Sequence, residues 1–109
     1  MNLTNDAKRL LYLMYKEYRR RRKDGMERDK ALFFGSSDAV HELLLPEESP
    51  GDALSYLWEL KRAGYVSGLN ADNIIYANLR LTYEAVTAIE QRPGEILESV
   101  ASFLANFIP

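Results

Sequence analysis

Cysteine is absent from this sequence of 109 residues. That excludes disulfides, thiol nucleophiles and cysteine-ligated zinc or iron–sulfur sites. It fits a reducing compartment, and the cytoplasm is the expected location. Histidine occurs once, as His41, so the usual metal and nucleophile sites lack a second ligand or a base. No glycine-rich phosphate loop is present, and the carboxylates form no recognisable catalytic pair. The expectation is a protein that is not an enzyme, with no cofactor, no metal and no evident small-molecule ligand. No apolar run approaches the roughly 20 residues of a membrane span. The opening stretch "MNLTNDAKRLLYLMYKEYRRRRK" has no apolar core after a basic start, so neither a membrane segment nor a signal peptide is expected.

A positive charge balance is also missing. Fourteen Lys and Arg stand against sixteen Asp and Glu, a net charge of −2. Proteins that rely on phosphate attraction usually carry a basic excess or a clear basic face, so any nucleic-acid binding here must come from local patches. What the chain does have is 47% hydrophobic residues, enough for one domain with a real core at a length too short for two.

Thr4, Asn5 or Asp6 can cap a first helix reaching about Lys23. Its apolar stripe is Leu3, Ala7, Leu10, Leu11, Met14 and Tyr18. The helix ends in "RRRRK" before Asp24 and Gly25; cations there suit the macrodipole. "GMERDKALFF" reads as a short helix or an irregular link. Ser36 or Ser37 caps a second helix that Pro46 ends. Ser49 caps a third, with Pro50 in its first turn, running to Ala63 with Gly64 as a left-handed stop. "YVSGL", the polar turn "NADN" and "IIYANLRL" form a hairpin with Ile75, Ala77, Leu79 and Leu81 on one face. Thr82 caps a fourth helix, and a fifth closes the chain at residues 94–109.

The expected fold is therefore α+β, a single winged-helix domain over residues 1–109. It comprises a three-helix bundle with a two-stranded β-hairpin wing and additional C-terminal helices. "LSYLWELKRAGYV", the hairpin and "LRLTYEAVTAIE" resemble small winged-helix proteins, in particular the YjcQ-like group of bacterial and phage proteins. Leu60, Lys61, Arg62, Gly64, Tyr65 and Val66 fit that group's helix end, and Leu81 and Thr82 its last helix start. Ala85 stands where the pattern usually has glycine. The likeness covers roughly residues 50–91. It implies a winged-helix (winged helix-turn-helix) shape and a loose expectation of DNA binding.

In such a fold the third helix enters the major groove. Its inner face is expected to be Ala53, Tyr56, Leu57 and Leu60, and its outer face Asp52, Ser55, Glu59 and Arg62. Two of those four outer residues are carboxylates, which repel phosphates. Glu47 and Glu48 read as a solvated loop that adds to the negative field. The turn from Asn70 to Asn73 has no Lys or Arg. The candidate nucleic-acid residues are Arg19, Arg20, Arg21 and Arg22, then Ser55, Lys61 and Arg62, and Arg80 on the second strand. The arginine run can equally meet a partner's acidic patch, a membrane surface or only solvent. Trp58, on the flank of the third helix, is expected to be partly buried or else to anchor a partner.

Two readings follow. One is a transcription regulator of bacterial or phage type that binds double-stranded DNA as a homodimer. The other is a winged-helix scaffold for protein–protein contact. The dimer expectation rests on the closing helix, where Ile96, Leu97, Val100, Phe103, Leu104, Phe107 and Ile108 share a face of roughly 140°. A second copy, fold-back onto the first helix, or a membrane surface can cover that face, and two-fold pairing is favoured. Phe103→Asp combined with Leu104→Asp is expected to convert a dimer into a monomer, as read by light scattering. An unchanged mass would take this helix out of the interface.

Overall fold

The computed structural model describes residues 3–71 and 74–92, with Tyr76 as backbone alone. The closing helix expected at residues 94–109, with its dimer residues Ile96, Leu97, Val100, Phe103, Leu104 and Phe107, lies outside the described residues, as do Asp72 and Asn73 of the hairpin turn.

The described residues form a mixed α+β fold. In order they give α1 (Asn5–Lys23), α2 (Arg28–Ala31), β1 (Phe33–Gly35), α3 (Ser37–Leu44), α4 (Pro50–Arg62), β2 (Val66–Ala71), β3 (Ile74–Leu81) and α5 (Tyr83–Gln91). The four longer helices begin at side-chain caps. Thr4, Ser36, Ser49 and Thr82 accept from the backbone N–H of Ala7, Ala39, Asp52 and Ala85, respectively. Each cap satisfies a donor that the helix cannot bond internally. α4 ends as expected. Gly64 adopts φ +85°, and Tyr65 N–H donates to the Leu60 carbonyl at 2.9 Å, the closing bond of a left-handed helix stop.

The expected two-stranded hairpin is part of a three-stranded antiparallel sheet, ordered β1-β3-β2. The extra strand begins in "GMERDKALFF", which holds a single helical turn and the first two residues of β1. Phe33 lies opposite Arg80 and Gly35 opposite Leu79. Leu81 N–H also donates to the Leu32 carbonyl at 2.9 Å. Three residues carry too little alternation to signal a strand; β1 exists because β3 offers it a ladder.

The core gathers one face of each element. α1 contributes Ala7, Leu10, Leu11, Met14 and Tyr18, and α4 contributes Ala53, Leu57 and Leu60. Ile75, Leu79 and Leu81 of β3 are fully buried among them. That common facing survives two irregularities. Ser67 pairs with Arg80, Leu69 with Ala77 and Asn70 with Ile75, so β3 inserts one extra residue twice. A single insertion would flip everything beyond it to the other face; two restore the alternation. Asn78, at the first insertion, takes φ +56°, a conformation Asn tolerates better than most residues.

Gly68 sits opposite that first insertion. A Cβ there would fall 2.7 Å from Ile75 Cγ2 and 3.1 Å from Leu79 Cα. The second of these is backbone and cannot step aside. Gly68→Ala is therefore expected to destabilise the protein by roughly 1–3 kcal/mol in urea titrations. Gly51→Ala, where a Cβ would meet nothing within 4 Å, should be neutral or mildly stabilising, by up to about 1 kcal/mol.

Candidate nucleic-acid interface

α3 and α4 are joined by a short loop, and α4 turns its buried side to α1 and the sheet. Its solvent side carries a shallow hollow formed by Gly51, Leu54, Ser55, Trp58 and Arg62. Of the outer residues expected from the sequence, Asp52, Ser55 and Arg62 are exposed. Glu59 is not part of that open face. Its carboxylate accepts from Thr4 N–H at 2.9 Å and from the Thr4 hydroxyl at 2.7 Å, so α4 secures the start of α1. The outer field is thus less acidic than the helical wheel implied. Trp58 is half-buried, and the Lys61 ammonium stands 5.8 Å from its ring centre.

Lys61 is committed to the hairpin. Its Nζ donates to the Gly68 carbonyl at 3.0 Å and to the Asn70 side chain at 2.9 Å. This fixes β2 beside α4 and uses donors that would otherwise be open to phosphates. Arg80 is similarly occupied. It approaches the Asp29 carboxylate at 3.4 Å, and its guanidinium lies 5.8 Å from the ring centre of Tyr83. Arg28 covers the same ring at 4.4 Å. The Tyr83 hydroxyl donates to Asp29 in a short bond. That bond, then Arg80, holds the Asp29 carboxyl below its ordinary range.

The four arginines of α1 separate into different roles. Arg21 is turned inward. It donates to Glu17 at 2.8 Å and to the carbonyls of Ala31 and Phe33 at 3.2 and 2.6 Å, and it lies 4.6 Å over the Phe34 ring. It ties α1 to α2 and β1 and has little surface left for a ligand, its side chain being 14% exposed. One signal was present in the sequence: Arg21 falls one turn beyond Tyr18, on the core side of the helix. Arg20 is exposed but bridges Glu17 and Asp24. Arg22 donates to the Met26 carbonyl at 2.9 Å and remains exposed. Arg19 is exposed, beside Lys16 and Lys23.

These cations do not form one face with Arg62. The loop before α4 touches α1 at Arg9, and the later part of α4 touches it at Thr4, so the two helices run in opposite senses. Arg19 lies fifteen residues beyond Thr4, or about 22 Å along the axis. Arg62 lies beyond the other end.

Glu47 and Glu48 are corrected from a merely solvated loop. Glu47 accepts from Arg9 at 2.5 Å and Glu48 at 3.0 Å, and Arg9 is a buried side chain. Arg9 lies opposite the apolar stripe, so helical spacing carries no signal of its burial; the loop covers it from outside. His41 joins this loop structurally, with Nε2 2.7 Å from the Glu48 carbonyl.

Among the described residues, no group of three or more His, Asp or Glu is placed to hold a metal ion. No described helix is long and apolar enough to cross a membrane. No protein family, curated protein or solved structure matches this chain.

The Glu17 carboxyl is held below its ordinary range by hydrogen bonds from Arg20 and then Arg21. A lowered folded-state pKa stabilises the fold above the ordinary carboxylate value of about 4.3, and the gain disappears as pH falls through the lowered value. Glu17→Gln should cost on the order of 1 kcal/mol near pH 7 and progressively less below about pH 4. Urea midpoints across that range check this.

Proposed function

We infer that this chain is a winged-helix DNA-binding module, a regulator in which α3 and α4 form the helix-turn-helix and β2–β3 the wing. The observation that carries the reading is the Lys61 tie. It holds the hairpin at a fixed place beside the exposed face of α4, the pairing of reading helix and wing that groove recognition needs. The extra strand β1 between the first helices, paired to β3, supports the same assignment. Homodimerisation through residues 94–109 belongs to this reading and rests on the sequence pattern alone.

The electrostatic grip is thin. On α4, Arg62 is the exposed cation, and Asp52 opposes it. Arg21, Lys61 and Arg80 have internal partners, and Arg19 and Arg22 stand at the remote end of α1. The proposed footprint is therefore Ser55, Arg62 and the hairpin, without the arginine run. That remoteness favours a second reading, protein contact through α4, in which Trp58 is the anchor.

Anisotropy titration of a random duplex at several salt concentrations tests both. Binding should be weak, near or above the 10⁻⁴–10⁻⁶ M range of non-specific association, with a shallow salt slope that Arg62→Ala reduces by roughly one unit. An Arg19→Ala and Arg22→Ala variant should leave the slope unchanged. Absence of binding even near 50 mM salt would pass the assignment to the protein-contact reading.

A further inference from the structure

The arginine run that DNA recognition leaves aside adjoins a second feature. Lys16, Arg19, Arg20 and Lys23 follow the i, i+3, i+4, i+7 rule and fall within about 100° of the α1 surface, opposite its buried stripe. With Arg22 they line an open hollow that contains no other residue type. Next to it lies a smaller hollow of about 230 Å³ between α1 and α3, lined by Leu13, Leu44, Lys16, Glu17 and Arg20. Lys16 and Arg20 belong to both. Leu13 and Leu44 are half-buried at its base. Leu43, the residue before Leu44, is 50% exposed. The one carboxylate in the lining, Glu17, is already met by Arg20 and Arg21, so it does not offset the cations beside it.

We propose that this paired surface on α1 and α3 docks an acidic segment of another protein, with one large apolar side chain in the Leu13–Leu44 hollow and carboxylates against Lys16, Arg19 and Lys23. Charge complementarity sets the sign of the partner, and the apolar hollow sets its class. A phosphate backbone satisfies cations but has no apolar group to seat between Leu13 and Leu44. An acidic peptide supplies both at the spacing of one helical turn. Lysine and arginine stems also cover apolar surface while their heads stay in water, which suits a rim shared by two hollows. The surface stands apart from the exposed face of α4, so it does not depend on how that face is used.

The test uses the full chain and fluorescein-labelled helical peptides that carry a leucine, methionine or phenylalanine anchor flanked by glutamates. At least one should bind with a micromolar dissociation constant. Replacing its glutamates by glutamine, or its anchor by alanine, should each weaken binding about tenfold or more. Lys16→Glu with Arg19→Glu, both exposed positions, should do the same with an unchanged circular dichroism spectrum, and amide shifts in the wild-type complex should centre on Leu13 and Leu44. An excess of duplex DNA should not displace the peptide. Failure of the whole panel up to millimolar concentration overturns the proposal. So does insensitivity to the anchor, or displacement by duplex, which would make the stripe a plain polyanion surface.

Discussion

The position of β3 governs the rest of this structure. It is the central strand, with β1 on one side and β2 on the other, and its Ile75, Leu79 and Leu81 meet the apolar stripes of α1 and α4. A central strand must keep its face toward the core while satisfying ladders on both sides. β3 does so with two extra residues, a left-handed Asn78 and a facing Gly68 that admits its backbone. The helices are arranged around that solution. Ser37 of α3 bonds the Ile75 carbonyl at 3.2 Å, and the Thr82 hydroxyl at the end of β3 donates to the Gly64 carbonyl at 2.7 Å, joining the starts of α5 and the hairpin.

Around this frame, charged side chains act mainly as ties between elements. Arg9 joins α1 to the α3–α4 loop, Glu59 joins α4 to Thr4, Arg21 joins α1 to β1, and Lys61 joins α4 to β2. Tyr15 adds a neutral version. Its hydroxyl donates to Glu90 of α5 at 2.8 Å, and burial together with that carboxylate pushes its pKa to about 12. A near-neutral protein whose charges are spent in this way has little left for long-range attraction of a polyanion. The exception is the outer stripe of α1, where Lys16, Arg19 and Lys23 lie together.

Much of the fold was legible because the signals were local. Each cap residue sits next to the apolar period it starts, and Gly64 marks the end of α4 unambiguously. β1 was not legible. Three residues have no period, and their strand conformation comes from a partner some forty-five residues away. The site was read less well, for a related reason. A helical wheel says which way Glu59 and Arg62 point, but not that Thr4 waits opposite one of them. Helical spacing sets Arg9 opposite the apolar stripe of α1 and does not show the loop that covers it. Lys61 finds its acceptors inside the fold, at the Asn70 side chain and the Gly68 carbonyl, a contact decided by how the hairpin returns past α4.

The Lys61 contact also bears on how the protein behaves at high concentration. β2 is an edge strand, and an edge offers free carbonyls and amides to any passing strand. Here an ammonium group occupies the Gly68 carbonyl in the middle of that edge and holds the Asn70 side chain beside it. The opposite edge, β1, is three residues long and stops at Gly35 with φ +91°. With a lysine seated on one edge and only three residues on the other, the sheet offers a neighbouring chain fewer positions to extend, a feature that works against strand-to-strand pairing.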